Sequence, residues 1–464
     1  MQIADLMIRG DANALWRSGA RVFLAVGLSF ALGLAALPAI AADEAGDATA
    51  DSDEIDEEAW AENLEDPSGD LGMDNPGSNA EQFVRDRQKR DYLFQIPGVD
   101  RALTPWNKLR ARMDERYGFR PNFSVTHLYQ YVDKTVGPNG ENEGAGLDVA
   151  VDGTWTFFGR GTASPTMAGF EFLYRTEAGG NVYPTELARE AGLLYPTSVA
   201  FSEVDPAIGQ LYLRQIFGGK FGVQAGKYNP VSVYDFFPMK NFKTDFVDGI
   251  HAANVIIPLP SRGLGAHVMM RPYKSSYVRV GIHDSNADTE KGGFNSLFDE
   301  AELFVIYEVG FDPGVSERRP GRPPSGDIHV SFWHQGDRDR ANVEDGWGFV
   351  VSGSQRFGRF MPFARYGHAG GGRKGPSPIE HMVNFGAAID NIFGQSNDRI
   401  GIGFTWSRPT NGALDDQGVI DAYYRVQVTP QVALSPTVQM VIDPVRNQDE
   451  DVVWIMGLRT RFNF

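Results

Sequence analysis

Cysteine is absent from this 464-residue chain, which excludes disulfide bonds and any metal site built on cysteine. Long apolar runs are also scarce, since only the run at 22–37 approaches the roughly 20 residues of a membrane-spanning helix. Basic residues are not in surplus, and the net charge of −17 argues against a nucleic-acid-binding protein. Two common catalytic motifs, H-E-x-x-H and G-x-S-x-G, are missing as well. Fold and function must therefore be inferred from weaker patterns that extend along the whole chain.

The apolar run at 22–37 begins directly after Arg21 and precedes the small-residue sequence Ala39-Ile40-Ala41. A basic region, a short apolar run and an A-x-A cleavage site are typical of a secretory signal peptide. A membrane anchor is the alternative, but the run is short for a span. We therefore expect residues 1–41 to be a signal peptide that is removed after Ala41.

The segment 42–78 is strongly acidic, with fourteen acidic residues and no basic residue between Asp43 and Asp74. Such a composition cannot bury a core, so the segment is predicted to be disordered in the periplasm. The alternative is a docking segment for a cell-wall or periplasmic partner.

Residues 79–119 are predicted to form a short helical region with one helix at 79–96 and a second that begins at Thr104. Thr104 is a suitable N-cap, and Pro105 would then occupy the first helical position. Trp106, Leu109 and Met113 recur at helical spacing, which predicts a helix that packs at the mouth of the domain that follows.

From residue 120 onward, apolar and polar residues alternate with the period of two that is typical of β-strands. The last segment, 452–464, is a clear example. One of its faces carries Val452, Trp454, Met456, Leu458, Phe462 and Phe464, and the other carries Val453, Ile455, Gly457, Arg459, Arg461 and Asn463. A nearly continuous apolar face beside an arginine-bearing face is typical of a strand between lipid and an aqueous lumen.

Sixteen such segments can be counted, from 123–132 to 452–464. Short turns, for example at 394–398, alternate with longer polar loops, although the Pro-rich connection 312–326 is long on the side of the short turns. The apolar run 255–259 lacks alternation and contains Pro258, so it is assigned to a loop. The predicted fold class is all-β: a sixteen-stranded antiparallel transmembrane β-barrel over 120–464, with a water-filled lumen.

Charged residues of both signs fall on the predicted inward faces. The candidates for lumen lining are Asp148, Asp152, Glu171, Arg175, Arg279, Glu302, Arg365, Arg425, Arg459 and Arg461. Because neither sign dominates, such a lumen suits neutral, hydroxyl-rich solutes better than strongly charged ones. The alternative is that these charges only solvate the lumen and pair with each other.

The loop at 229–263 is the predicted constriction, because it places aromatic residues beside ionic ones. Its candidate substrate-binding residues are Tyr234, Asp235, Phe237, Lys240, Phe242, Lys243 and Asp245. Aromatic rings can stack on sugar rings while charged groups hold hydroxyls. The alternative is an apolar core that folds the loop onto the wall, and we expect some of both.

Three segments carry a resemblance to a known family. They are Trp106-Asn-Lys-Leu109-Arg110, the stretch 219–246 in which GKFGVQAGKYNP leads into FFPMKNFKTDF, and the ending VQMVIDP with IMGLRTRFNF. On these motifs the chain resembles, over roughly 100–464, the carbohydrate-selective porins of bacterial outer membranes, the OprB family. The resemblance implies a monomeric sixteen-stranded channel that admits glucose and other sugars. The chain departs from the family pattern where Asp443-Pro444 replaces Asn-Pro.

The function predicted on this basis is passive, carbohydrate-preferring diffusion of sugars and other small hydrophilic solutes into the periplasm. A general diffusion porin and an adhesin or cell-wall tether are the alternatives. An enzyme is not expected: the glycine-rich stretch 370–375 lacks the Ser or Thr that a phosphate loop places after Lys374, and the eight histidines form no ligand-spaced pair. No cofactor, no metal and no nucleic-acid partner is predicted.

The expected location is the bacterial outer membrane, with both the N-terminal segment and the C-terminus in the periplasm. The expected partners are outer-membrane lipid and the barrel-assembly machinery, which would bind the C-terminal strand that ends in Phe464.

Overall fold

The computed structural model describes residues 92–94, 96–137, 140–312 and 326–464. Sixteen strands close into an antiparallel barrel in which each strand pairs with its neighbours in the chain and the first pairs with the last. The strands are β1 (Phe119–Val132), β2 (Glu143–Phe158), β3 (Thr166–Glu177), β4 (Val204–Phe217), β5 (Phe221–Tyr228), β6 (Gly263–Met270), β7 (Ser276–Asp284), β8 (Leu303–Phe311), β9 (Gly326–Gln335), β10 (Gly346–Gln355), β11 (Phe360–Gly370), β12 (Ile379–Ile392), β13 (Gln395–Pro409), β14 (Gln417–Gln427), β15 (Val432–Ile442) and β16 (Val452–Asn463). The predicted fold class and strand count are confirmed.

Alternation along each strand separates an apolar outer face from an inward face. On β16, Trp454 and Met456 are 40% and 55% exposed on the outside, whereas Val453 and Ile455 are fully buried on the inside. The arginines of this strand, Arg459, 1% exposed, and Arg461, 4% exposed, also lie on the inside. The period of two in the sequence therefore identified both faces correctly.

The two chain ends of the barrel meet, because Phe464 donates its backbone N–H to Phe123 O at 2.9 Å and the two rings stack at 5.8 Å. We call this end of the barrel the terminal end and the opposite one the long-loop end. The tightest connection at the terminal end is Phe393-Gly394, both with positive φ. Two residues in this conformation match the twist of a hairpin, so β13 begins at Gln395 rather than after a turn at 394–398.

A helix, α1 (Pro97–Tyr117), packs against β1. The predicted start at Thr104 is wrong, because Pro97 already occupies the first helical turn and Pro105 lies inside the helix. The predicted packing face is also shifted: Leu109 is 49% exposed, whereas the guanidinium of Arg110 is buried and donates to Pro121 O at 3.0 Å.

No helix in the described part of the chain has the length and apolarity that a membrane crossing requires.

Several expectations fall on residues outside the described ranges. They are the signal peptide, the acidic segment, most of the helix at 79–96 and nearly all of 312–326. Leu93 and Phe94, which are described, are not helical but donate backbone hydrogen bonds to Gln427 O and Val428 O at 3.2 and 2.9 Å.

Two connections of the long-loop end fold into the barrel. We call 178–203 the side segment and 229–262 the crossing segment; they contain the short helices α2 (Leu187–Glu190) and α3 (Gly249–Ala253). Backbone hydrogen bonds join the two segments, from Val199 N to Val247 O at 3.1 Å and from Gly249 N to Pro196 O at 2.9 Å.

The interior next to the long-loop end is a packed apolar core. Buried side chains from both segments meet buried wall residues there, and the cluster includes Leu187, Leu193, Tyr195, Ile250, Ile256, Ile257, Phe304, Trp333, Val350, Val441 and Ile455. The expectation of a water-filled lumen is therefore wrong for this half of the barrel. A sixteen-stranded wall leaves room inside, and here that room is occupied by the chain's own apolar residues.

Candidate functional site

The crossing segment begins with a buried ion cluster. The Asp235 carboxylate lies 3.1 Å from Lys240 Nζ, 3.4 Å from His329 Nε2 and 3.8 Å from Arg365 Nη1. The Lys240 ammonium also donates to the carbonyls of Tyr234 and Asp235, both at 3.0 Å. Burial alone raises the pKa of Asp235, but the positive charges of Lys240, His329 and Arg365 outweigh it and hold that pKa well below its usual range.

Tyr234 is seated in a recess of the wall next to this cluster. Its hydroxyl lies 3.0 Å from His283 Nε2 on β7 and 3.4 Å from the hydroxyl of Tyr228. Gly281 makes the recess possible, because a Cβ at that position would overlap the Tyr234 hydroxyl. The segment is held further by Glu308 on β8, which accepts the Asp235 N–H at 2.7 Å.

Phe237 forms part of a smaller buried aromatic cluster in the same segment. The guanidinium of Arg365 lies 4.2 Å from the centre of its ring, which is a cation–π geometry. Phe237 also packs edge-on against Phe363 of β11 at 4.8 Å and stacks with Phe246 at 6.5 Å. Because Phe237 is fully buried, its role in this structure is to pack the segment onto the wall.

Lys243 binds the other side of the barrel. Its ammonium lies 3.0 Å from Asp148 Oδ1 on β2 and 3.3 Å from Ser124 Oγ on β1. The second oxygen of Asp148 accepts from Arg175 Nε at 2.7 Å. A single carboxylate therefore bridges two cations.

Phe242 lies directly beside these charges. Its ring centre is 5.9 Å from the Arg175 guanidinium and 5.8 Å from the Lys243 ammonium, and Phe201 of the side segment packs edge-on at 5.8 Å. Of the seven predicted constriction residues, Phe242 is half-buried and the other six are buried. Among these seven residues, Phe242 alone has a partly exposed side chain in this structure, and two cations lie beside its ring.

Asp245 is the third ionic anchor of the crossing segment, after the Asp235 cluster and Lys243. Its Oδ1 lies 3.0 Å from Arg399 Nη1, 3.0 Å from the Tyr423 hydroxyl and 3.3 Å from Arg425 Nη1. Arg459 on β16 binds the backbone of the same stretch: its Nη1 donates to Phe242 O at 2.6 Å and to Asp245 O at 2.8 Å.

The three anchors lie on widely separated parts of the wall. Asp235 contacts β8, β9 and β11, whereas Lys243 contacts β1 and β2. In a closed barrel of sixteen strands in chain order, β1 and β9 lie opposite each other. The crossing segment therefore spans the lumen from wall to wall.

The remaining predicted lumen residues also lie inside, with one exception. Glu171 pairs with Arg262 at 2.7 Å, Arg279 pairs with Glu308 at 3.1 Å, and Asp152 accepts from Asn122 at 3.5 Å. Glu302 is the exception: β8 begins at Leu303, so Glu302 belongs to the preceding loop, where it accepts from Asp339 N at 3.0 Å. The alternation was extended one residue too far into the loop.

Several ionic residues of this network were not among the predicted site residues, including Arg262, His329 and Arg399. Arg399 and Thr405 are an even number of residues apart on β13, so they face the same side of the sheet. Because both are buried on the inner face, the alternation along the strand could have identified Arg399. Arg262 lies in a loop, and no pattern in the sequence indicates its pairing with Glu171.

A closed barrel of sixteen antiparallel strands, apolar outside and charged inside, defines an outer-membrane porin. The chain belongs to the OprB family of carbohydrate-selective porins, whose family model matches residues 207–464. Comparison with curated proteins gives no sequence match.

Among solved structures, the high-pH structure of Pseudomonas putida OprB is similar, with a TM-score of 0.60 and 13% identity over 77% of this chain and 97% of that one. The low-pH structure of the same protein gives a TM-score of 0.44 and 12% identity over 78% and 97%. A mutant of the Rh. blastica porin gives 0.43 and 11% over 75% and 100%. At 13% identity, the likeness to the high-pH structure shows the fold.

Proposed function

We propose that this porin conducts small hydrophilic solutes passively and prefers carbohydrates. The observation that carries the proposal is the surroundings of Phe242, where one partly exposed ring lies beside charges that take part in ion pairs. Lys243 and Arg175 share Asp148, and Arg262 pairs with Glu171. Paired charges offer directed donors and acceptors to hydroxyl groups but only a weak net field for ions.

The route of a solute meets its main barrier at the long-loop end. Ile256 and Ile257 are 0% and 2% exposed and pack into the apolar core, and Val255 and Leu259 cover them. Partly exposed inward residues, such as Arg425 and Asn463, lie instead toward the terminal end. We infer that the apolar contacts of the side segment and the crossing segment must separate for a solute to pass. The ionic anchors would meanwhile hold the crossing segment in place.

Liposome swelling tests the function directly. Vesicles that contain the porin are to be diluted into mono- and disaccharides and into amino acids of similar size. We expect faster swelling with sugars, and Phe242→Ala should reduce this preference, whereas Phe217→Ala on the outer face should leave it unchanged. Equal permeation of sugars and amino acids would support a general diffusion porin instead, and an absence of swelling would support a tether.

We also propose that the terminal end faces the periplasm, because it carries the short turns typical of that side. Phe464 lies there, available to the barrel-assembly machinery, and the acidic segment 42–78 would extend from the same side. Since the chain lacks cysteine, a thiol reagent labels a single-cysteine variant only at the introduced position, which tests the orientation. An impermeant maleimide on intact cells should label Gly412→Cys but not Tyr273→Cys; the reverse result would invert the orientation.

A further inference from the structure

A second group of titratable side chains lies inside the barrel and has no part in the proposed passage of solutes. It consists of Asp248 and His251, at the start of α3, and Asp421 on β14. All three are buried, and one ligand atom from each lies within 4.8 Å of the other two. The crossing segment and the wall therefore each contribute a carboxylate to the same small volume.

His251 acts in this group as an orienting residue. Its Nδ1 lies 2.9 Å from both oxygens of Asp248, and its Nε2 lies 2.7 Å from Asn384 Nδ2. Arg365 Nε donates to Asn384 Oδ1 at 2.8 Å, which turns the Asn384 amide nitrogen toward the imidazole. Nε2 is thus an acceptor and the proton lies on Nδ1, so His251 donates to Asp248 and offers no free nitrogen lone pair. A metal at this site would have to be bound by oxygen.

The two carboxylates lack a direct cationic partner, although the charges of Arg365 and Arg459 act on them from a longer distance. Within the described ranges, neither Asp248 nor Asp421 forms an ion pair with a lysine or an arginine. Two buried carboxylates at this separation repel each other, so a cation or a proton between them stabilises the pair. The arrangement therefore favours a bound cation or a shared proton.

The hydrogen bonds of Asp421 favour the cation. Its Oδ2 accepts the backbone N–H of Asp248 at 3.4 Å, and the N–H of Val247 also interacts with the carboxylate, while Oδ1 is buried and has no hydrogen bond of normal geometry among the described residues. A proton on Oδ1 would form an O–H group without an acceptor, which costs the desolvation of that group. A cation at Oδ1 satisfies the oxygen and compensates both charges.

We propose that Asp248 and Asp421 bind a divalent cation that fastens the crossing segment to β14. An all-oxygen donor set points to Ca²⁺, Mg²⁺ or Mn²⁺ rather than to zinc or copper, with water completing the coordination. The wall is adapted to the arrangement, because Gly403 is the register partner of Asp421 and a Cβ there would overlap His251 Nε2.

Calcium titration of the full chain in detergent, after treatment with a chelator, tests the proposal. Isothermal titration should give one saturable Ca²⁺ site per chain, and Ca²⁺ should raise the midpoint of thermal unfolding. Asp421→Asn, which keeps the shape and removes one charge, should abolish both effects. The control is Asp415→Asn, in an acidic cleft of about 640 Å³ at the long-loop end, which should leave both effects unchanged.

Three outcomes would overturn the proposal. One is an absence of saturable binding of both Ca²⁺ and Mn²⁺ to the wild-type chain. The second is binding that survives in Asp421→Asn but is lost in Asp415→Asn, which would place the ion in the surface cleft. The third is an Asp421→Asn variant that is more stable than the wild type with and without Ca²⁺, as expected if the two carboxylates share a proton.

Discussion

The two halves of the barrel interior hold the same crossing segment by different forces. Toward the long-loop end, Ile256 and Ile257 pack among buried wall residues such as Val350. In the middle and toward the terminal end, Asp235 and Asp245 bind cations from several strands. The difference shows how one segment can close the lumen with its apolar residues and also hold polar residues at fixed positions.

Apolar packing is non-directional, so the apolar contacts in the long-loop half can break and form again without the loss of a specific hydrogen-bond or ionic partner. Buried ion pairs are directional, and removing one partner leaves a desolvated charge behind. We therefore assign the barrier to the apolar half and the position of Phe242 to the charged half. The variants below test that division, from the largest expected effect to the smallest.

Asp235→Ala should have the largest effect, because it leaves Lys240 and Arg365 buried without their carboxylate. The expected loss is about 3–5 kcal/mol of the stability of the folded segment. Thermal unfolding in detergent and protease cleavage within 229–262 would measure it. The exposed Asp415→Ala serves as the control; equal cleavage of both variants would show that the ion cluster does not hold the segment.

Ile256→Ala should be next, with an expected cost of about 2–5 kcal/mol from the lost apolar contact and the resulting cavity. Its distinctive effect is on transport, since a weaker apolar closure should raise the swelling rate or single-channel conductance. Ile389→Ala, on the outer face of β12, is the matched control and should leave conductance unchanged. A conductance of Ile256→Ala equal to wild type would argue against a barrier at the long-loop end.

Tyr234→Phe removes one hydroxyl from the recess at Gly281 and should cost about 1 kcal/mol. The effect is smaller because His283 Nε2 keeps the Tyr228 hydroxyl as a partner at 3.0 Å. Thermal unfolding would measure it against Tyr273→Phe, in an exposed turn. A loss as large as that of Asp235→Ala would mean that the hydroxyl network, not the ion cluster, is the main anchor.

Lys374→Ala should have the smallest effect, below about 1 kcal/mol, because its 3.2 Å pair with Glu344 is more than half exposed. Conductance and the thermal midpoint should both stay close to wild type. A shift comparable to that of Ile256→Ala would contradict the distinction between buried and exposed pairs.

The strands were predictable because their signal is local. Each strand carries its own alternation, and β16 alone separates an apolar face from one with Arg459 and Arg461. The ends of elements were predicted less accurately, as the loop position of Glu302 and the start of α1 at Pro97 show.

The filling of the lumen was not predictable in the same way, because it depends on contacts between distant residues. Lys243 meets Asp148, and Asp248 meets Asp421, with no local pattern to indicate either pair. One signal was present: the apolar run 255–259 was assigned correctly to a loop, but a loop that carries Ile256 and Ile257 must bury them somewhere. The constriction hypothesis for 229–263 selected the segment that crosses the barrel; whether its residues contact sugars stays a prediction.

Cysteine cross-linking tests most directly whether the crossing segment spans the lumen, since the chain has no cysteine of its own. Lys243→Cys is to be paired with Ser124→Cys on β1 or with Ser331→Cys on β9, and treated with a short bis-maleimide in the membrane. A cross-link with Ser124→Cys and none with Ser331→Cys is the result predicted here. Absence of the first cross-link, or equal yields of both, would contradict a segment fixed across the barrel.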